Sequence, residues 1–176
     1  MVSIRNYALK RLRLRNSVCS PPITLVRSAI LEHVAGYKKL LVLLDLSQGS
    51  ERVAVAGRDL AAYSNAAMTL MHVVEFVPVE PLGEALMPVP EIENELVDHA
   101  RQTLADLAAR LDFPLTTCRV ESGNTKAEIL RVAKEERAEL IVLGSRERHG
   151  LAILVNFTED TVLHAAHCDV LAVRLK

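Results

Sequence analysis

A chain of 176 residues, half of them apolar, can enclose one hydrophobic core but has little room for two. A formal charge of −1, with six aromatic residues in all, argues against a nucleic-acid-binding surface, which needs a basic face and rings for stacking. Cys19, Cys118 and Cys168 are odd in number and widely spaced, which excludes a disulfide framework and suits a reducing, cytoplasmic compartment.

Residues 1–37 hold Arg5, Lys10, Arg11, Arg13, Arg15 and Arg27 against the single acid Glu32, leaving the remainder net acidic by about six charges. The segment reads as a disordered extension or as a start assigned upstream of a native one near Val34. An Arg-rich targeting segment is the alternative, since no unbroken apolar stretch of the kind that marks a secretory signal follows the charges. Residues 38–176 are expected to form the single domain, because no Gly-Ser-rich linker or internal repeat divides them.

From Tyr37 onward, short apolar runs alternate with amphipathic stretches, the pattern of βα units in a parallel sheet. The first strand is expected over Leu40–Asp45. It leads into a helix from about Gly49 to Tyr63, whose apolar side runs through Val53, Ala56, Leu60 and Ala61. The second strand is Ala67–Val74. A loop holding Pro78, Pro81, Pro88 and Pro90 follows, then a helix carrying Ile92, Leu96, Ala100, Leu104, Leu107 and Leu111 at three- and four-residue steps. Glu91, Glu93 and Glu95 suit the positive end of its dipole.

The third strand is Leu115–Val120. Thr125 with Glu128 predicts a capping box opening the next helix, which continues through Ile129, Val132 and Ala133. The fourth strand is Glu139–Leu143, ended by Gly144; a helix from about Thr158 to Ala166 leads to the fifth, Val170–Arg174. Apolar runs such as Leu40–Leu44 and Leu140–Leu143 fall far short of the roughly 18 residues of a membrane span, so no membrane partner is expected.

Right-handed crossovers with helices on both faces make 3-2-1-4-5 the simplest strand order, a doubly wound, Rossmann-like α/β sheet. Its switch point falls between strands one and four, which places ligands outside Asp45 and the stretch from Gly144 to Gly150. Gly144-Ser145-Arg146-Glu147-Arg148-His149-Gly150 is positioned for a phosphate cradle, yet no Gly-Lys-Ser or Gly-Lys-Thr triplet exists to make it a Walker loop. A strand-to-helix connection using glycine for tight turns explains it equally.

The stretch GSRERHGLAILVNFTEDTVLHAAHCDVLAVRL resembles the C-terminal signature of the universal stress protein family. KKLLVLLDLS and LMHVVE are similar to that family's first two strands. The resemblance implies a nucleotide pocket in which Asp45 contacts the nucleoside and Leu43 and Val73 line the adenine slot. It also implies a phosphate loop of Gly, two residues, Gly, eight or nine residues, then Gly followed by Ser or Thr. Gly144 matches the first glycine, but Glu147, Asn156 and Phe157 stand at the other three positions. Glu147 brings a side chain and a negative charge where phosphates would lie, and Phe157 replaces a hydroxyl donor. The site is therefore expected to be a degenerate one that holds no ATP. On its own terms, Asp45 reads equally as a cap of the following segment or an anchor for Lys38 or Ser47, and Leu43 and Val73 as ordinary sheet residues.

His164, His167 and Cys168 could supply three metal ligands, but histidines ending a helix are explained by its dipole, and no metal site is expected. His72, inside a strand, reads as a core residue with a satisfied ring. No nucleophile-elbow or general acid/base motif stands out, so no catalytic residue is assigned. The resemblance implies a stress-response protein working as a homodimer through the strand around Val170, Leu171, Ala172 and Val173, with other, unidentified protein partners and without turnover. An adenine-nucleotide-binding regulatory module with weak hydrolysis is the alternative, and unrelated small-molecule chemistry at the switch point a third.

Overall fold

The computed structural model describes residues 36–75, 89–146, 162 and 164–175. Strand β1 (Lys39–Leu43) is followed by helix α1 (Ser50–Ser64), β2 (Ala67–Val74), α2 (Val89–Leu111), β3 (Thr116–Ser122), α3 (Thr125–Glu135), β4 (Leu140–Arg146) and β5 (Asp169–Leu175). The strands form one parallel sheet in the order β3-β2-β1-β4-β5, the order expected from the crossover rule. Val162, with residues 164 and 165, is helical; most of the expected Thr158–Ala166 helix lies outside the described residues.

The alternation of side chains along each strand divides the core in two. Leu40, Val42, Leu44, Met68, Leu70, Leu140, Val142, Val173 and Leu175 face α1 and α2, where they bury Val53, Ala54, Ala61, Leu104, Leu107 and Leu111. Leu41, Met71, Ile141 and Leu143 face the other way, onto Ile129, Val132 and Ala133 of α3 and onto Val162. Central strands buried on both faces read as near-continuous apolar runs for this reason. α1 approaches the sheet closely because Gly57 has no side chain: a Cβ there would stand 2.6 Å from Cγ2 of the fully buried Val42.

Several boundaries differ from expectation: β1 ends at Leu43 rather than Asp45, and β3 runs past Val120 to Ser122. β4 does not stop at Gly144 but runs to Arg146, pairing in register with β5 from Leu140↔Asp169 to Arg146↔Leu175. Glycine weakens a strand without ending it when a neighbouring ladder is there to pair with. Pro90 lies in the first turn of α2 rather than in the preceding loop; its missing N–H costs nothing there, because first-turn donors have no intrahelical acceptor.

The cap of α3 is Asn124, whose side chain accepts from the Ala127 N–H at 3.1 Å, so the Thr125–Glu128 capping box is not the cap used. Tertiary pairing moves the start by one residue. β3 is in register with β2 to Ser122↔Val74, the Gly123 N–H then bonds to Val74 O at 3.0 Å, and Gly123 turns the chain at φ +140°. Asn124 is the residue left in extended geometry at the helix mouth.

Tyr37 packs against the first core cluster, and its phenol donates to Asp169 at 2.7 Å. The Lys38 N–H donates to Glu139 at 2.5 Å. These bonds tie the entry of the domain to the amino ends of β4 and β5.

Candidate functional site

The carboxyl ends of β1 and β4 lie side by side where the crossovers diverge, the place where sheets of this kind bind ligands, and the loop into α1 leaves from the first of them. Asp45 lies two residues beyond the end of β1, outside the strand in which it was expected, and is exposed. Its Oδ1 accepts from the Ser47 N–H at 3.0 Å, the Ser47 hydroxyl at 2.7 Å and the Ser50 hydroxyl at 2.8 Å. An aspartate that holds the backbone two residues on forms an Asx turn, so Asp45 organises the start of α1. Of its two proposed anchors Ser47 is engaged, whereas Lys38 lies at the opposite end of β1.

The turn holds Leu46 in the left-handed region, at φ 55°. The other non-glycine residues at positive φ, Asn65, Asp112 and Arg137, each follow a helix end; Leu46 alone among the described residues sits elsewhere. A left-handed Leu costs on the order of 1 kcal/mol, offset here by the Asp45 bonds and by packing of Leu46 against the first cluster.

Leu43 and Val73 lie half-buried on the α3 face, packed against the second cluster. Leu43 stands opposite Met71, and Val73 lies two residues further along β2, past the last paired position of β1. Leu43, Asp45 and Val73 thus lie at or just beyond the carboxyl ends of β1 and β2. Gly144 lies on the other face: a Cβ there would meet Leu175 Cδ1 at 2.9 Å and Val53 Cγ2 at 3.2 Å. Packing against β5 and α1 is thus sufficient reason for that glycine. Glu147, Asn156 and Phe157 lie outside the described residues.

The ring of His72, on β2, bonds through Nδ1 to Leu44 O at 2.8 Å; a carbonyl only accepts, so Nδ1 carries the proton. This bond braces the chain one residue before Asp45. His164 and His167 are exposed, while Cys168 is half-buried against the second cluster. Sequence reading missed Ser50, buried beneath Asp45, although the run Asp45-Leu46-Ser47-Gln48-Gly49-Ser50 does place two hydroxyls within reach of one carboxylate.

The fold defines a doubly wound α/β protein whose switch point falls between β1 and β4. The model of the Universal stress protein family matches residues 36–174, and the chain belongs to that family. It is 36% identical over 141 residues to universal stress protein A homolog 2 of Coxiella burnetii, covering 80% of this chain and 97% of that one. Among solved structures, universal stress protein UspA from Lactobacillus plantarum superposes with a TM-score of 0.60 at 24% identity, over 78% of this chain and 98% of that chain. A universal stress protein in complex with cAMP superposes with a TM-score of 0.61 at 21% identity, over 78% and 97% of the two chains. No helix of the described residues is long and apolar enough to cross a membrane.

Proposed function

We propose that this stress-response protein works in the cytoplasm as a homodimer joined along β5, and that its output is protein–protein contact without catalytic turnover. The observation that carries the reading is the geometry of the β5 edge. β5 ends the sheet and, among the described residues, pairs with β4 alone. The Asp169 N–H points to β4, where it bonds Glu139 O at 3.3 Å. Backbone direction alternates along a strand, so the N–H groups of Val170 and Ala172 point outward, along an apolar stretch suited to pairing with a second strand. Ala172→Pro removes one outward donor and leaves the β4 ladder intact. Sedimentation of this variant should show dimer association at least tenfold weakened, with an unchanged circular dichroism spectrum. A folded variant with the wild-type dimer mass would rule out β5 as the seam.

A second reading, an adenine-nucleotide-binding module, is favoured by the position of Leu43, Asp45 and Val73 at or just beyond the carboxyl ends of β1 and β2 and by the solved relative in complex with cAMP. The phosphate end argues against ATP. A carboxylate such as Glu147 about 6 Å from a phosphate charge, at an effective dielectric near ~40, repels it by roughly 1 to 2 kcal/mol. Loss of a hydroxyl donor at Phe157 costs about 1.5 to 3 kcal/mol more. Calorimetric titration with Mg-ATP should therefore detect no low-micromolar binding by the natural chain and measurable binding by the Glu147→Gly, Asn156→Gly, Phe157→Ser triple variant. Tight binding by the natural chain would overturn the degenerate-site reading. Failure of the folded triple variant would extend the loss to the nucleoside end.

A further inference from the structure

Leu175, near the end of β5, fills a socket built from three separate segments. Its Cδ1 lies 2.6 Å from where a Cβ on Gly49 would stand and 2.9 Å from where one on Gly144 would stand. Val53 borders the same socket, at 3.2 Å from the Gly144 position, and Leu175 is only 7% exposed. Gly49 precedes α1 as its cap residue, immediately before the Ser50 that donates to Asp45. Gly144 belongs to β4, opposite Val173 of β5. One side chain of the edge strand is thus wedged between the Asp45 loop and β4, and neither glycine position can accept even a methyl group unless Leu175 shifts.

We propose that Leu175 is a coupling residue: it transmits displacement between the β1–α1 loop, which carries Asp45 in the crevice, and the β5 edge through which two copies pair. The inference rests on the β5 dimer proposed above. Close-packed interiors pass on strain because their contacts have little slack, and a shared side chain with two glycine-lined neighbours is a short path for it. Thermodynamic linkage makes the coupling reciprocal: an occupant of the crevice that moves the Asp45 loop changes self-association, and self-association changes the occupant's affinity by the same factor.

The test is a double-mutant cycle in the full 176-residue chain, read as the dimer dissociation constant by sedimentation equilibrium. Gly49→Ala lies in the β1–α1 loop rather than on β5, yet it should weaken the dimer at least fivefold by pushing Leu175 out of its socket. Leu175→Ala should weaken it as well. The double variant, in which the added methyl meets a vacated space, should return to within about threefold of wild type. A folded Gly49→Ala protein with an unchanged dimer constant would overturn the coupling while leaving the β5 seam intact, as would strictly additive effects. If the Ala172→Pro variant retains the wild-type dimer, the seam itself is wrong and the coupling falls with it. Urea titration of each variant at a concentration where it is monomeric separates lost stability from lost association.

Discussion

Cys168 and Tyr37 meet Asp169 at the amino end of β5, and the fold holds both groups in their protonated forms. Burial, then the neighbouring Asp169 charge, pushes the Cys168 thiol up from 9.0 to about 11. Burial, then the hydrogen bond to Asp169, raises the Tyr37 phenol far above its ordinary range. Because the folded state binds these protons more tightly than the unfolded chain does, the Cys168 contribution is complete below pH 9.0 and declines as pH rises towards about 11, while that of Tyr37 begins to decline only above pH 10.0. The urea midpoint should therefore fall across that interval, and Cys168→Ala combined with Tyr37→Phe should flatten the slope. An equally steep loss in the double variant would place the alkaline sensitivity elsewhere. Asp45 shows the same dependence of chemistry on neighbours: with one oxygen engaged by Ser47 and Ser50, it serves first as the organiser of its own loop.

At the level of elements, α3 shows how local signals compete. Ser122, Asn124 and Thr125 are all capping residue types within four positions, and the end of the β3 ladder decides among them. Asn124→Ala should cost about 0.5 to 2 kcal/mol of unfolding free energy, whereas Thr125→Ala should stay within about 0.5 kcal/mol. The reverse ranking in urea titrations would restore Thr125 as the cap. A second device ties the same helix to the edge strand β3. Arg119 bonds Glu121 at 2.5 Å, Glu135 at 3.0 Å and Glu136 at 3.2 Å, while Arg131 bonds Glu121 and Glu128 at 2.6 Å and Glu135 at 2.8 Å. Burial alone would raise the Glu121 carboxyl, but the Arg119 hydrogen bond and the two guanidinium charges outweigh it and hold the carboxyl below the usual glutamate range. This charged lattice borders β3, and edge strands lined with charge resist unwanted pairing; β5, at the other end of the sheet, presents Val170, Leu171 and Ala172 instead.

For the whole molecule, the first 35 residues are proposed to add nothing to the stability of the domain. Their removal, with Gly36 and Tyr37 kept, should move the melting temperature by less than about 2 °C. Extending the cut through Tyr37 removes the phenol bond to Asp169 and its core contact, and should lower the melting temperature by about 3 °C or more. A large fall on the shorter cut would assign the preceding residues to the fold.

The order of the strands was legible in the chain itself. Doubly buried strands such as Leu40–Leu44 and Leu140–Leu143 betray a parallel sheet by composition, and right-handed crossovers leave few ways to arrange them. Leu43, Asp45 and Val73, which the resemblance singled out, lie at or just beyond the carboxyl ends of β1 and β2. The purpose of single residues depended on what other elements bring near. Gly144 reads in sequence as a strand end and a phosphate-loop glycine, but in the fold it is the space that Leu175 and Val53 require, contacts from 31 residues downstream and from the first helix. Thr125 and Glu128 satisfy a capping pattern, yet the length of a neighbouring ladder gives the role to Asn124. Periodicity records which face of an element is buried; contacts between distant segments, which decide what a glycine, a cap or a carboxylate is for, leave no periodic trace and emerge only when the sheet is assembled.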